Sequence, residues 1–288
     1  SYLMTTKNKL PYLKHSISKL IENKKYDEEI LIADGDSKDG TKEFLESLVA
    51  NGSINYFISE PDFGEAHGLN KLLFQAKGLL ITTITDDDVF HYETISDIKN
   101  FMLLHPQIDM TGSEGGFKNQ DVTKKVRPFY YVNNYRQWQK EGRPFAFCGL
   151  GLVYRRSSLP LIGLWHTAFK QLDAEYSLRN TSGKANIAWC NRHAYVNIST
   201  IHSTSLKYKK LIKRESDRLN KFYLNKNPDS LLIEKLKVVR NKFGNLSIFK
   251  KNTPIPSEEN NHLKLIEIAA DWLKRVNQEI KQEFIWNK

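Results

Sequence analysis

Three successive carboxylates, Asp86-Asp87-Asp88, close the apolar, β-branched run Leu80-Ile81-Thr82-Thr83-Ile84-Thr85. Like charges at such short range raise each other's pKa, so holding them together calls for a cation. A divalent metal, Mg²⁺ or Mn²⁺, accepts carboxylate oxygens and can share its remaining positions with phosphate oxygens. The run before the carboxylates reads as a buried strand. In an α/β sheet the carboxyl ends of the strands are where ligands bind. A solvated acidic loop accounts for one or two such residues better than for three directly after a strand.

The elements that must position this run alternate along the chain. Tyr2-Leu3-Met4 reads as a short strand, and Pro11 opens a helix with Tyr12, Leu13, Ile17, Leu20 and Ile21 on one stripe. Residues 29–33 form the next strand, ending in Asp34-Gly35-Asp36-Ser37-Lys38-Asp39-Gly40-Thr41. That cluster turns the chain and offers Asp39 or Thr41 as a cap for a helix bearing Phe44, Leu45 and Leu48. A strand at 54–58, a helix at 64–76 and the strand at 79–84 follow. This order predicts a mainly parallel, right-handed sheet of nucleotide-binding type. Further on, Gly112, Gly115 and Gly116 are expected to break any long element in 107–135. Residues 145–154 read as a strand of a mixed sheet, 168–180 as a helix and 194–201 as another strand. Beyond 205 the pattern is helical, at about 206–225, 229–243 and 258–285. The last of these carries Leu265, Ala269, Trp272, Val276 and Ile280 on one face.

At 288 residues and 40% hydrophobic, the chain can bury a substantial core. No stretch approaches the roughly 20 apolar residues of a membrane span, and no signal peptide opens it. Cys148 and Cys190 give neither a disulfide framework nor metal-site spacing, which points to a reducing, cytoplasmic compartment. The opening at Ser1 is expected to mark an excised or trimmed piece of a longer protein. The net charge of +10 is concentrated in residues 206–251, where 14 Lys or Arg face 4 Asp or Glu. An attachment surface for acidic partners is expected there, either anionic lipid or nucleic acid.

Five segments in order resemble the inverting glycosyltransferases of the GT-A fold, particularly the large family-two group. They are Met4-Thr5-Thr6-Lys7-Asn8-Lys9; Ala33-Asp34-Gly35-Asp36-Ser37-Lys38-Asp39-Gly40-Thr41; the stretch from Ser59 to Lys71; Thr85 to Val89; and Leu172 to Arg179. The resemblance covers roughly residues 2–205. It implies an α/β, Rossmann-like nucleotide-sugar-binding domain with a mixed central sheet over 1–205, divided near 104 into nucleotide and acceptor halves. A basic helical appendage over 206–288 would follow. It also implies metal-dependent transfer of a hexosyl-type sugar from a nucleoside diphosphate, UDP favoured, to a hydroxyl acceptor with inversion.

By this resemblance Asp34 reads the uracil or thymine imide, and Thr6 and Asn8 flank the base; turn-building explains the same three residues. Asp87 is the principal metal ligand, Asp86 lies near the ribose or sugar, and Asp88 supports the metal. A literal Asp86-x-Asp88 reading remains open by one residue. Asp173 is the general base, removing the acceptor's proton opposite the diphosphate; the alternative is a surface acid paired with Arg179 or Lys170. Glu175 points about 200° away on a helix and cannot share that role. His202 would complete the metal shell, or be a structural histidine. Trp165 and His166 could stack on a sugar ring, and His67 could approach the donor, although a helix-face position suits it better.

Two other classes compete. A nucleotidyltransferase would need a glycine-rich basic loop after the first strand, and Thr5-Thr6-Lys7-Asn8-Lys9 has no glycine. A nucleic-acid module would use the interleaved aromatic and basic residues of 206–214. The same residues fit an amphipathic helix on an acidic membrane, or a solvated helical face. Nucleic acid is the less expected partner. Family habits and the Lys- and Asn-rich composition point to bacterial surface polysaccharide or glycoconjugate synthesis on a glycan or lipid-linked acceptor. Peripheral attachment at the inner face of the cell membrane, or a homo-oligomer, would engage the C-terminal region.

Overall fold

The run that precedes the carboxylates forms β4 (Leu80–Thr85), an interior strand whose first five residues are buried. The structure is a computed structural model that describes residues 1–183, 185–200, 203, 207–224 and 258–286. His202 and the helix expected at 229–243 lie outside the described residues. β4 pairs in parallel with β1 (Tyr2–Thr6), which pairs with β2 (Ile30–Asp34), which pairs with β3 (Tyr56–Ser59). Register places Thr6 beside Asp34, Asp34 beside Ser59, and Thr5 beside Thr85. The carboxyl ends of all these strands therefore share one edge.

Alternation along the strands splits the core in two. Met4 and Ile32 face α1 (Leu10–Asn23) and pack with its Leu13, Ile17 and Leu20. Leu3 and Leu31 face the opposite side, against Leu69, Leu72 and Leu73 of α3 (Glu65–Gln75). This is the period-two pattern of a sheet covered on both faces. Between them, α2 (Thr41–Ala50) starts at Gly40, whose φ of 87° suits glycine. Asp39 accepts from the Thr41 N–H at 3.3 Å, and its other oxygen ties to the Leu10 N–H at 2.9 Å.

The second half mixes strand directions. After β5 (Val89–Phe90) and α4 (Tyr92–Leu104) comes β6 (Met110–Lys118), a nine-residue strand where the glycines predict a broken element. The reason lies in β9 (Ile187–Ile198), which runs parallel to β6 and lays large rings over it. A Cβ at Gly112 would stand 2.2 Å from the Trp189 ring, and one at Gly115 would stand 2.1 Å from Tyr195. Glycine here admits the neighbouring strand's rings; it does not end the strand. β7 (Arg127–Phe129) pairs with β6, and α5 (Val132–Glu141) follows. The strand expected over 145–154 is also shorter. The chain is irregular to Cys148, makes one 3₁₀ turn at Gly149–Gly151, and only then forms β8 (Val153–Arg155). β8 joins β4 to β6 with antiparallel pairing on both sides. The short α6 (Leu159–Ile162) leads towards α7 (Leu172–Ser182).

The C-terminal residues return to this sheet. After α8 (Lys209–Leu224), the long α9 (Glu258–Glu279) buries Leu265, Ile266, Ala269 and Leu273 against Val89, Val196 and Ile198. Leu273 takes the deep position expected of Trp272, which rests over Gly116. The helix expected to reach 285 stops at Glu279. Phe284 and Ile285 form β10 on the edge of β9, with Phe284 stacked on Phe101 at 4.1 Å between centroids.

One ionisable group is sealed inside this framework. Glu114 of β6 is 1% exposed and accepts hydrogen bonds from Tyr131 N–H at 2.6 Å, Val132 N–H at 2.7 Å and Trp189 Nε1 at 2.8 Å. It thereby satisfies the amino end of α5. Burial outweighs these donors and raises its pKa to about 7. An unfolded Glu ionises near about 4.3, so between the two values the native state keeps a proton the unfolded state has lost. Stability then falls as pH rises through that window. Glu114→Gln removes this dependence. In urea unfolding the variant is expected to gain up to about 3 kcal/mol relative to the parent between about pH 4 and pH 8. A difference that does not change with pH would mean that the carboxyl titrates alike in the folded and unfolded states.

Candidate functional site

The shared edge of the parallel strands opens onto a cleft of about 1200 Å³, lined on one side by Thr6, Lys9, Asp86 and Asp87 and on the other by Cys148 and Asp173. Its floor is built by the turn after β1. Asn8 there adopts φ 52°, a left-handed conformation that Asn tolerates. Its N–H donates to Ser37 Oγ at 2.7 Å, and its Oδ1 accepts from the Lys38 N–H at 2.8 Å. This locks the first loop to the second and sends Lys9 back over the end of β4. Lys9 Nζ then donates to Asp86 Oδ1 at 3.0 Å and to Asp87 Oδ2 at 2.7 Å.

The three carboxylates divide into two kinds. Asp86 and Asp87 converge on the Lys9 ammonium, with Thr6 Oγ1 donating to the second oxygen of Asp86 at 2.8 Å. Thr200 Oγ1 lies 3.4 Å from Asp87 Oδ2. Asp88 turns the other way. It accepts from Thr85 Oγ1 at 2.6 Å, the Ile198 N–H at 2.6 Å and Asn197 Nδ2 at 3.2 Å, which spends both oxygens on joining β4 to β9. Burial raises the pKa of both Asp86 and Asp88. Burial alone would lower that of Lys9, but Asp86 and Asp87 more than reverse it.

This geometry suits a cation. Two carboxylate oxygens from successive residues already surround one positive charge, and hard oxygen donors fit Mg²⁺ or Mn²⁺ once the ammonium leaves. Among the described residues no group of three or more His, Cys, Asp or Glu is arranged to hold a metal. Asp86 and Asp87 are thus the residues that could hold one, and Asp88, expected to support it, is occupied as a clamp.

Across the cleft, Asp173 stands in the first turn of α7, half-buried. Burial raises its pKa, while a hydrogen bond from the Gly149 backbone and another from Cys148 oppose the rise. A Cβ at Gly149 would stand 2.8 Å from Asp173 Oδ1, so the 3₁₀ turn needs glycine to approach this carboxylate. The surface pairing with Arg179 does not form: Arg179 Nε binds Glu175 Oε1 at 2.9 Å, on the buried side of the helix. Glu65, on the first turn of α3, also lines the cleft. It remains open to solvent, yet the recessed position and then the Asp173 carboxylate push it to about 7.

The other expected site residues scatter. Asp34 is 1% exposed and lies behind the cleft wall, where Ser37 N–H and Oγ and Ser59 Oγ, the last at 2.6 Å, occupy its oxygens. Trp165 offers no platform for a sugar. It is 3% exposed, stacked on Tyr176 at 4.1 Å, and its backbone is clamped by Asn70 at 2.8 and 3.0 Å. His166 is exposed away from the cleft, capping its own turn at the Ala168 N–H. His67 accepts from the Phe63 N–H at 3.2 Å on the α3 face.

Glu215 of α8 carries no signal in the sequence that marks it. It is 4% exposed and accepts from the Lys170 and Gln171 N–H groups, each at 3.0 Å, just before α7. Gln171 Nε2 in turn donates to Ser216 Oγ at 2.8 Å. The first helix of the basic region therefore fixes the start of the helix that bears Asp173.

The sequence profile described as Glycosyl transferase family 2 matches residues 1–160. No protein of curated function matches the chain. Several solved structures are similar in fold. One is S. aureus TarS, at a TM-score of 0.52 and 16% identity, covering 78% of this chain and 42% of that one. Another is S. aureus TarS 1–349 in complex with UDP-GlcNAc, at 0.56 and 14%, covering 96% and 82%. A third is the mannosyltransferase PcManGT from Pyrobaculum calidifontis in complex with GDP-Man and Mn²⁺, at 0.54 and 14%, covering 97% and 75%. The chain thus spans less than half the length of the longer TarS structure.

Glu215→Ala strips the acceptor from two partly buried backbone donors. It is expected to cost about 1–2 kcal/mol in denaturant unfolding, with Glu215→Gln recovering part of the loss. An unchanged unfolding midpoint in both variants would mean that α8 does not hold α7.

Proposed function

Because this chain belongs to glycosyl transferase family 2 and has the GT-A fold, we propose that it moves a sugar from a nucleoside diphosphate, UDP favoured, to an acceptor hydroxyl with inversion. The observation that carries this reading is a cleft lined by both the Asp86–Asp87 carboxylate pair and Asp173. Asp86 and Asp87 would hold Mg²⁺ or Mn²⁺, which when bound supplies Lewis-acid stabilisation to the departing diphosphate. Thr6 and Asn8 line the cleft where the base would lie, and Asp34 braces that wall from behind through Ser37.

Asp173 accepts the acceptor's hydroxyl proton as the oxygen attacks the anomeric carbon. The bond from that carbon to the diphosphate oxygen breaks as the new glycosidic bond forms, and its electron pair leaves on the diphosphate. One displacement without a covalent intermediate inverts the centre. Burial raises the Asp173 pKa, which makes the ionised carboxylate a stronger proton acceptor. The Gly149 N–H keeps it aimed. The acceptor belongs to a surface glycan or glycoconjugate on this reading. The exposed basic face of α8, with Leu211 and Phe222 at its edge, supports peripheral contact with an anionic membrane.

Calorimetry with UDP, dTDP, GDP and CDP, with and without Mn²⁺, tests the donor site. One nucleotide is expected to bind in a metal-dependent manner, and Asp87→Ala to lose that binding. Asp173→Asn is expected to keep nucleotide binding while sugar transfer falls by about 10²–10⁴-fold. Absence of binding by every diphosphate would overturn the donor-site assignment. Full transfer activity in Asp173→Asn would overturn the base.

A further inference from the structure

The cleft holds a positive charge that the transfer itself does not use. Lys9 Nζ lies 3.0 Å from Asp86 Oδ1 and 2.7 Å from Asp87 Oδ2, so one ammonium fills the seat a divalent cation would take. The seat is enclosed: the side chains of Asp86, Asp87 and Lys9 are 5%, 11% and 19% exposed. Two hydrogen bonds to carboxylates leave one of the ammonium's three donors for another partner. A free divalent ion entering here meets a cation of its own sign in the place it needs. Displacing the ammonium requires a new anion to receive it, because an unpaired charge in an enclosed site is costly.

The backbone is arranged so that only the side chain need move. The Lys9 carbonyl accepts the Leu13 N–H at 2.9 Å at the start of α1, and Asn8 is pinned to the second loop. The four-carbon stem can therefore swing while the loop stays. A diphosphate lying in the cleft supplies the receiving anion and, with its oxygens, the remaining ligands for a metal.

We propose that Lys9 is an internal counter-cation that closes the Asp86–Asp87 seat to free divalent metal and opens it when a diphosphate draws the ammonium onto a phosphate oxygen. The inference rests on the donor-site reading above. Metal and nucleotide are then coupled through one side chain, and linkage makes the coupling reciprocal.

The test is Mn²⁺ binding followed by the EPR signal of free Mn²⁺, on the whole chain, with and without UDP. The parent is expected to bind Mn²⁺ weakly alone and at least about tenfold more tightly with UDP. Lys9→Met is expected to bind Mn²⁺ alone at least about tenfold more tightly than the parent and to gain less from UDP than the parent does, keeping only the share that phosphate oxygens contribute as ligands. Lys9→Arg, which keeps the charge, is expected to behave as the parent. Lys9→Gln retains a donor to Asp86 and serves in place of Lys9→Met should that variant not fold. Unchanged or weaker Mn²⁺ binding by the neutral variants in the absence of nucleotide overturns the proposal. So does a parent that binds UDP equally with and without Mn²⁺, since the ammonium then stays in its seat. The nucleotide-free arm reads the lysine alone, whereas failure of parent and variants to bind UDP at all marks failure of the donor site.

Discussion

The end of β4 crowds three carboxylates into successive positions, and the surrounding structure is arranged to make that tolerable. The compensation is divided. Asp86 and Asp87 share the Lys9 ammonium, while Asp88 is turned inward and given hydrogen bonds from β9. Each half depends on a different part of the chain. The first needs the left-handed turn at Asn8 that brings Lys9 back over the strand end. The second needs β9 to run alongside β5, so that the Ile198 N–H and Asn197 reach Asp88. Without both, like charges would repel at a site shielded from water.

The opposite wall is built by close approach. Gly149 lets a turn come within reach of the Asp173 carboxylate, and Gly112 and Gly115 let the Trp189 and Tyr195 rings lie on β6. These three contacts pack β9 closely onto β6 and seat the Gly149 turn beside α7. α8 adds the last constraint, since Glu215 pins the residues before α7. α8 and the start of the helix that bears Asp173 are therefore tied together, although some 42 positions separate Glu215 from Asp173.

The parallel half was legible in the sequence. Its strands and helices fall within a few residues of their expected bounds, because apolar periodicity and Gly, Pro and Asp punctuation are local signals. The position of Asp86, Asp87 and Asp88 at a strand end follows from the same pattern. The mixed half was harder to read. Gly112, Gly115 and Gly116 look like breakers in isolation, and only rings from β9 and α9 make them strand residues. β10 is two residues long and exists because β9 presents an edge to it.

The sequence by itself determined which residue types stand where the parallel strands end, since burial alternation and turn residues act over short range. Their partners were decided by the tertiary structure. That Lys9, and not a solvated loop, faces Asp86 and Asp87 depends on a register between residues some 77 positions apart. That Trp165 is core and Asp173 cleft depends on Tyr176 covering one and Gly149 admitting the other. Aromatic and acidic side chains carry the same sequence signal whether they meet a ligand or a neighbour. Only the packing around each one decides which.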